Sequence, residues 1–160
     1  MIKADNIRKN AFTLVEILVV LTIIAILLGI VMIALGDARQ DARDTKRRAD
    51  LEIIRSGLEL YKSDCGEYPA TFDLGTPGTQ LIGPAGITGC TGNIYISSSP
   101  ADPIDIQNYR YNQLTDFTYA MCALVENPPD PAHDVTNCGG VCSDDGGGTT
   151  LPCNYLVTNP

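Results

Sequence analysis

Glu16 is the residue whose placement asks most for a chemical reason. It is the one charged side chain between Phe12 and Leu35, a run of 24 residues. A carboxylate held in an apolar helix costs at least ~2.5 kcal/mol at mid-bilayer, so such residues are functional candidates by default. Glu16 lies only four residues into the run, where an interface relieves much of that cost. On the bland reading it is a polar residue at the end of a span. The sharper reading uses its spacing. A cut after Ala11 creates a new amine on Phe12, and Glu16 sits at i+4 from Phe12 on the same helix face. It is placed to neutralise that amine in its own subunit, or in a neighbour during assembly.

The second chemical set is six cysteines: Cys65, Cys90, Cys122, Cys138, Cys142 and Cys153. All follow the apolar run. An even count in a Gly-rich distal region predicts disulfides in an oxidising compartment. Zinc is disfavoured, because the last four lack a C-x2-C pair. Spacing alone leaves many connectivities open. The expectation is that the tail is crosslinked to itself and to Cys122, with Cys65 and Cys90 a separate pair. Asp144 and Asp145 are oxygen donors for calcium. No D-x-D-x-D-G pattern surrounds them, and a solvated acidic turn is the competing reading. His133 is the one histidine and stands in a Pro-rich loop. No Walker loop and no G-x-S-x-G occurs, so an enzyme is not expected.

These residues need elements to position them. Met1 to Ala11 is short and basic, with Lys3, Arg8 and Lys9. The run after it exceeds the ~20 apolar residues that span a bilayer. Arg8 and Lys9 keep the preceding end cytoplasmic, which places the cysteines outside. A secretory signal peptide has a shorter apolar core of roughly 7–15 residues. Asp37 to Lys62 continues as helix, since no proline occurs before Pro69. Leu51, Ile54, Leu58 and Tyr61 make one apolar stripe. Asp44 with Arg48, and Glu59 with Lys62, are expected helix-surface pairs. The charged segment from Asp37 to Asp50 is expected to be solvated, or to meet neighbouring subunits and set their register. Gly29 and Gly36 are the weak points of the long helix.

Residues 69–92 read as loop, rich in Gly and Pro. Strands are expected at Asn93–Ser97, Tyr109–Asn112 and Phe117–Val125. Tyr61, Leu58, Ile54, Tyr111, Tyr119, Met121 and Leu124 are the expected core. The tail from Asn127 reads as mostly loop held by crosslinks. The formal charge is −8. With the acids mainly downstream, no nucleic-acid site is evident.

The stretch Lys9-Asn10-Ala11-Phe12-Thr13-Leu14-Val15-Glu16 resembles the prepilin processing motif of type IV pilins and type II secretion pseudopilins. Leu58-Glu59-Leu60-Tyr61 leading to Tyr68-Pro69 resembles the helix exit of the same family. Tyr95-Ile96, Pro100-Ala101-Asp102-Pro103 and Tyr109-Arg110-Tyr111 resemble its sheet. The resemblance implies an α+β pilin fold: a long N-terminal helix on a small antiparallel sheet of three or four strands, with a disulfide-stapled C-terminal loop. It implies a leader at 1–11, a transmembrane and assembly helix at 12–36, an amphipathic half at 37–62 and an extracytoplasmic head at 63–160. It further implies cleavage between Ala11 and Phe12, N-methylation of Phe12, and Glu16 as the assembly carboxylate. One departure stands at the junction: Ala11 replaces the family's usual Gly. Calcium near Asp144 and Asp145 has a counterpart in major pseudopilins. The implied partners are further copies of the chain, a prepilin peptidase, an inner-membrane assembly platform and membrane lipid. The leading function is a type IV pilus subunit, a cell-surface filament once assembled. The alternatives are the major pseudopilin of a type II secretion or DNA-uptake system, and a single-span anchored ligand-binding module.

Overall fold

The computed structural model describes residues 13–129, 131, 133, 135–144 and 150–159, with backbone alone at 33, 34 and 144. The chain divides into two compact units, Met1–Arg39 and Gln40–Pro160. One helix, α1 (Leu14–Cys65), runs through the described part of the first and opens the second.

The start and stop of α1 follow from local chemistry. Thr13 is its N-cap: the Thr13 hydroxyl oxygen accepts from the Glu16 amide at 3.2 Å, satisfying one of the orphan donors of the first turn. At the other end Gly66 has φ 90°, and its amide donates to the Lys62 carbonyl at 2.8 Å. This is a left-handed C-terminal cap, which a residue without Cβ adopts at little cost. The helix passes through Gly29 and Gly36 unbroken.

In the second unit the apolar stripe of α1 is the floor of the core. Leu51, Ile54 and Leu58 are fully buried and Tyr61 nearly so, each aliphatic side chain contributing roughly 1.5–3 kcal/mol. Above it lies a three-stranded antiparallel sheet in the order β3-β4-β7, with β3 Arg110–Thr115, β4 Thr118–Ala123 and β7 Tyr155–Thr158. The central strand alternates strictly. Tyr119, Met121 and Ala123 join the core on α1. Cys122 joins a second buried cluster with Cys138, Cys142 and Cys153 on the opposite face.

Three expectations change here. The tail is not only loop, because its Tyr155–Thr158 is an outer strand of the main sheet, pairing Met121 with Val157. Leu124 packs against the cysteine cluster and not against the helix. The first expected strand, β2 (Ile94–Ile96), is absent from the main sheet. It pairs instead with β1 (Leu81–Ile82), inside the segment expected to be loop. That ribbon lies very close to the helix. A Cβ on Gly57 would stand 2.4 Å from the Ile96 side chain, so only glycine permits this approach. A further short pair joins β5 (Ser143–Asp144) to β6 (Thr150–Leu151).

Candidate functional site

In the first unit every described side chain from Thr13 to Met32 is exposed. Its best 18-residue window has a mean hydropathy of 3.3, and none of that window is buried. By length and composition this is a helix able to cross a membrane. Glu16 sits in its first turn. The Glu16 carboxylate has no hydrogen-bond or ion-pair partner among the described residues, while its backbone amide donates to the Thr13 hydroxyl. Ala11 and Phe12 lie outside the described residues, as do Asp145 and the side chain of Asp144. Among the described residues no group of three or more His, Cys, Asp or Glu side chains forms a metal site.

The second unit treats its charges in the opposite way. Asp44, Arg47 and Asp50 are buried. Arg47 is wholly enclosed, and each of its five N–H donors has an acceptor. Nε and Nη2 form a fork on Asp102 at 2.9 and 3.1 Å. Nη1 donates to Asp44 at 2.6 Å and to Glu126 at 3.3 Å. Nη2 also donates to the Gln107 amide oxygen at 2.9 Å. The carboxylates are themselves held. The Glu126 and Asn127 amides donate to Asp44 at 3.0 and 2.8 Å, the Ile104 amide donates to Asp102 at 2.9 Å, and Arg43 forks onto Glu126. Beside this knot the Tyr109 hydroxyl donates to Asp50 at 2.8 Å, and Lys46 reaches the same carboxylate oxygen at 3.0 Å.

Titration follows the geometry. Burial alone would raise the Asp44 carboxyl, but the two amides and Arg47 more than offset it and hold it below its ordinary value. Arg43 is the main cause of the lowered Glu126, against burial and with help from Arg47. For Arg47 burial disfavours the charge, and Asp102, Asp44 and Glu126 outweigh it, so the guanidinium is held more firmly protonated than usual.

The expected surface pairs are therefore replaced. Asp44 pairs with Arg47 and not with Arg48, and Arg48 lies over the Tyr155 ring at 5.6 Å. Glu59 accepts from the Tyr68 hydroxyl at 2.8 Å, while Lys62 lies over the Tyr68 ring at 4.6 Å. Both basic side chains cover an aromatic face where a carboxylate was expected.

The six cysteines form three disulfides: Cys65–Cys90, Cys122–Cys138 and Cys142–Cys153. The first ties the loop between β1 and β2 to the last residue of α1. The other two hold the tail against the outer face of β4. His133 supplies no reactive array. Its Nδ1 accepts from the Leu156 amide at 3.1 Å, which satisfies an outward donor of β7.

Comparison with known proteins bears on both units. A prokaryotic N-terminal methylation motif matches residues 6–32. The type II secretion system core protein G of Dickeya chrysanthemi is 28% identical over 136 residues, covering 81% of this chain and 86% of that one. By this motif and this match the chain is similar to the family of type IV pilins and type II secretion pseudopilins. Core protein G of Aeromonas hydrophila is 34% identical over 64 residues, and that of Pectobacterium carotovorum 36% over 64 residues. Those two matches cover 40% of this chain and only 45% and 41% of the relatives. No solved structure matches the chain.

The feature that sequence reasoning missed is the knot around Arg47. Its signal was present. Asp44 and Arg47 extend the stripe of Leu51, Ile54, Leu58 and Tyr61 toward the N-terminus with the same three-and-four spacing. A charged residue in register with an apolar stripe points inward.

Proposed function

We propose that this chain is a structural subunit of a pilus-like filament, and more closely a major pseudopilin of a type II secretion system than a type IV pilus subunit. The observation that carries the closer reading is the Dickeya core protein G match, which extends over 81% of this chain, beyond the apolar helix and into the head. The prepilin motif alone serves pilins and pseudopilins equally.

On this reading residues 1–11 are a leader, cut between Ala11 and Phe12 by a prepilin peptidase that then methylates Phe12. Residues 12–36 hold the subunit in the inner membrane through lipid contact before assembly, with residues 37–62 and the head at 63–160 outside. An assembly platform draws subunits into a homopolymer through that helix. Glu16 is the assembly carboxylate. Support for its role comes from its setting: a charge on an uncovered apolar helix, with no partner among the described residues, is placed to meet the Phe12 amine of its own subunit or of a neighbour.

N-terminal sequencing and intact mass of the membrane-extracted protein test the processing step. A methylated Phe12 start is expected, and an intact Met1 or a start at Asp37 overturns it. Deleting the subunit tests the closer reading. Loss of protein secretion with no loss of surface filaments is the expected outcome. Loss of sheared surface filaments with secretion intact returns the subunit to the type IV pili.

A further inference from the structure

A cleft in the second unit holds hydrogen-bonding groups that the fold does not use. It has a volume of about 530 Å3, inside the roughly 300–1,000 Å3 range of ligand sites. One wall is residues 67–73, just past the cap of α1, and the other is β1 with its flanks. The floor is apolar, made by Phe72, Leu81 and the ring of Tyr61, all buried.

Both walls carry idle backbone. Strand β1 spends one edge on β2. The Ser99 amide donates to the Thr79 carbonyl at 2.8 Å, Leu81 faces Ile96, and the Gly83 amide donates to the Asn93 carbonyl at 2.9 Å. Strand alternation turns the Gln80 and Ile82 groups to the opposite edge. On the facing wall, no turn or loop hydrogen bond among the described residues uses the backbone of Ala70, Thr71 or Phe72. One side chain repeats the pattern. Tyr61 is only 6% exposed, yet its hydroxyl has no hydrogen-bond partner among the described residues. Every fully buried side-chain nitrogen or oxygen among them is satisfied, so this hydroxyl opens to the cleft that Tyr61 lines. Burial, and then the Glu67 carboxylate, raise it above its ordinary value, which keeps it a protonated donor. Glu67 is exposed at the rim, and no lysine or arginine lines the cleft.

We propose that this cleft binds an extended peptide segment of another protein, which adds as a strand to the open edge of β1. An apolar side chain of the segment rests on the Phe72 and Leu81 floor, and a lysine or arginine meets Glu67. The backbone groups of Gln80 and Ile82 stand two residues apart, which is the repeat a strand matches. Addition to a sheet edge is a general mode of peptide capture, with main-chain bonds giving affinity and side-chain seats giving selectivity. The charge of the rim selects the basic segment. A sugar could use Tyr61 and Glu67, but it has no repeat to match the strand edge. The inference is independent of the filament reading and survives its failure.

Amide hydrogen exchange of the full chain in a non-ionic detergent, read residue by residue by NMR, tests this. The probe is a capped hexapeptide of alternating valine and lysine at about 2 mM. At a dissociation constant of ~1 mM it slows exchange of the amides it covers about threefold. Slowing of at least that size is expected at Gln80 and Ile82. Glu67→Gln is expected to weaken the probe about threefold, the scale of an exposed ion pair, and Tyr61→Phe to weaken it as well. The same peptide with glutamate for lysine, and one N-methylated at alternate residues so that it cannot pair as a strand, are expected to protect neither amide. Absence of slowing with the lysine probe overturns the proposal. So does equal slowing by the glutamate or the N-methylated peptide, or protection that Glu67→Gln leaves unchanged. Protection by maltose in place of the peptide would make the cleft a sugar site and overturn it too.

Discussion

Glu16 and Arg47 stand on the same helix and have opposite surroundings. Glu16 projects from an apolar stretch whose side chains are uncovered, and its carboxylate meets no partner among the described residues. Arg47 is sealed inside the second unit with every donor engaged. A charge fully satisfied within its own chain is scaffold, because no donor remains for anyone else. A charge left without a partner on an apolar surface is free to meet a new one. The basic and acidic run of α1, taken alone, looks like the part that should meet neighbours. In the folded chain Asp44, Arg47 and Asp50 of that run are turned inward, and the outward role is the one proposed above for the lone carboxylate far from it.

The sharpest way to break this contrast is to remove the two charges separately. Glu16→Ala is expected to abolish filaments while leaving membrane insertion and the melting of the head unchanged. Normal filament yield from that variant, measured on sheared or cross-linked material, would return Glu16 to a mere end-of-span residue. Arg47→Met is expected to do the reverse in kind, destabilising the head by about 3–5 kcal/mol because it leaves carboxylates buried without their cation. Urea unfolding of the extracted protein measures it, and a midpoint equal to wild type would show that the knot contributes little.

Gly57→Ala should come next, at about 1–3 kcal/mol, since its Cβ has no room beside Ile96 and the ribbon must shift. The smallest effect is expected from acid. Asp44 and Glu126 both titrate below their ordinary values in the folded chain. Their stabilising contribution is therefore complete above the unfolded carboxylate range near ~4 and falls as pH drops through the lowered folded values. The urea midpoint should be flat from neutral pH to about pH 5 and decline below pH ~4. In Arg47→Met that decline should be weaker, which separates the knot from the remaining carboxylates.

Much of this architecture is legible in the residues themselves. The spacing of Leu51, Ile54, Leu58 and Tyr61 marks a helix face, because steps of three and four fall on one side of a helix, whereas on a strand each step of three crosses to the other side. The alternation in Phe117–Val125 marks β4, although only the structure reveals that both of its faces are covered. Strand β7 was hidden because Tyr155–Thr158 is four residues long and follows a tail of Cys, Gly and Pro, too short to establish a period. Strand β1 is shorter still, and its existence depends on Ile94 and Ile96 lying alongside. Both are made by their partners and not by their own pattern. The inward turn of Arg47 was readable only by setting residue type aside and trusting register.

The position of β7 imposes an order in time. Strand β4, the middle of the head, has its second neighbour in residues 155–158. Its outer face is closed by disulfides that need Cys138, Cys142 and Cys153. A growing chain therefore exposes Tyr119 and Met121 on an incomplete sheet until Thr158 has been made and delivered. The apolar helix is synthesised long before that and can enter the bilayer first. Completion of the sheet therefore depends on a strand far along the chain from the apolar helix.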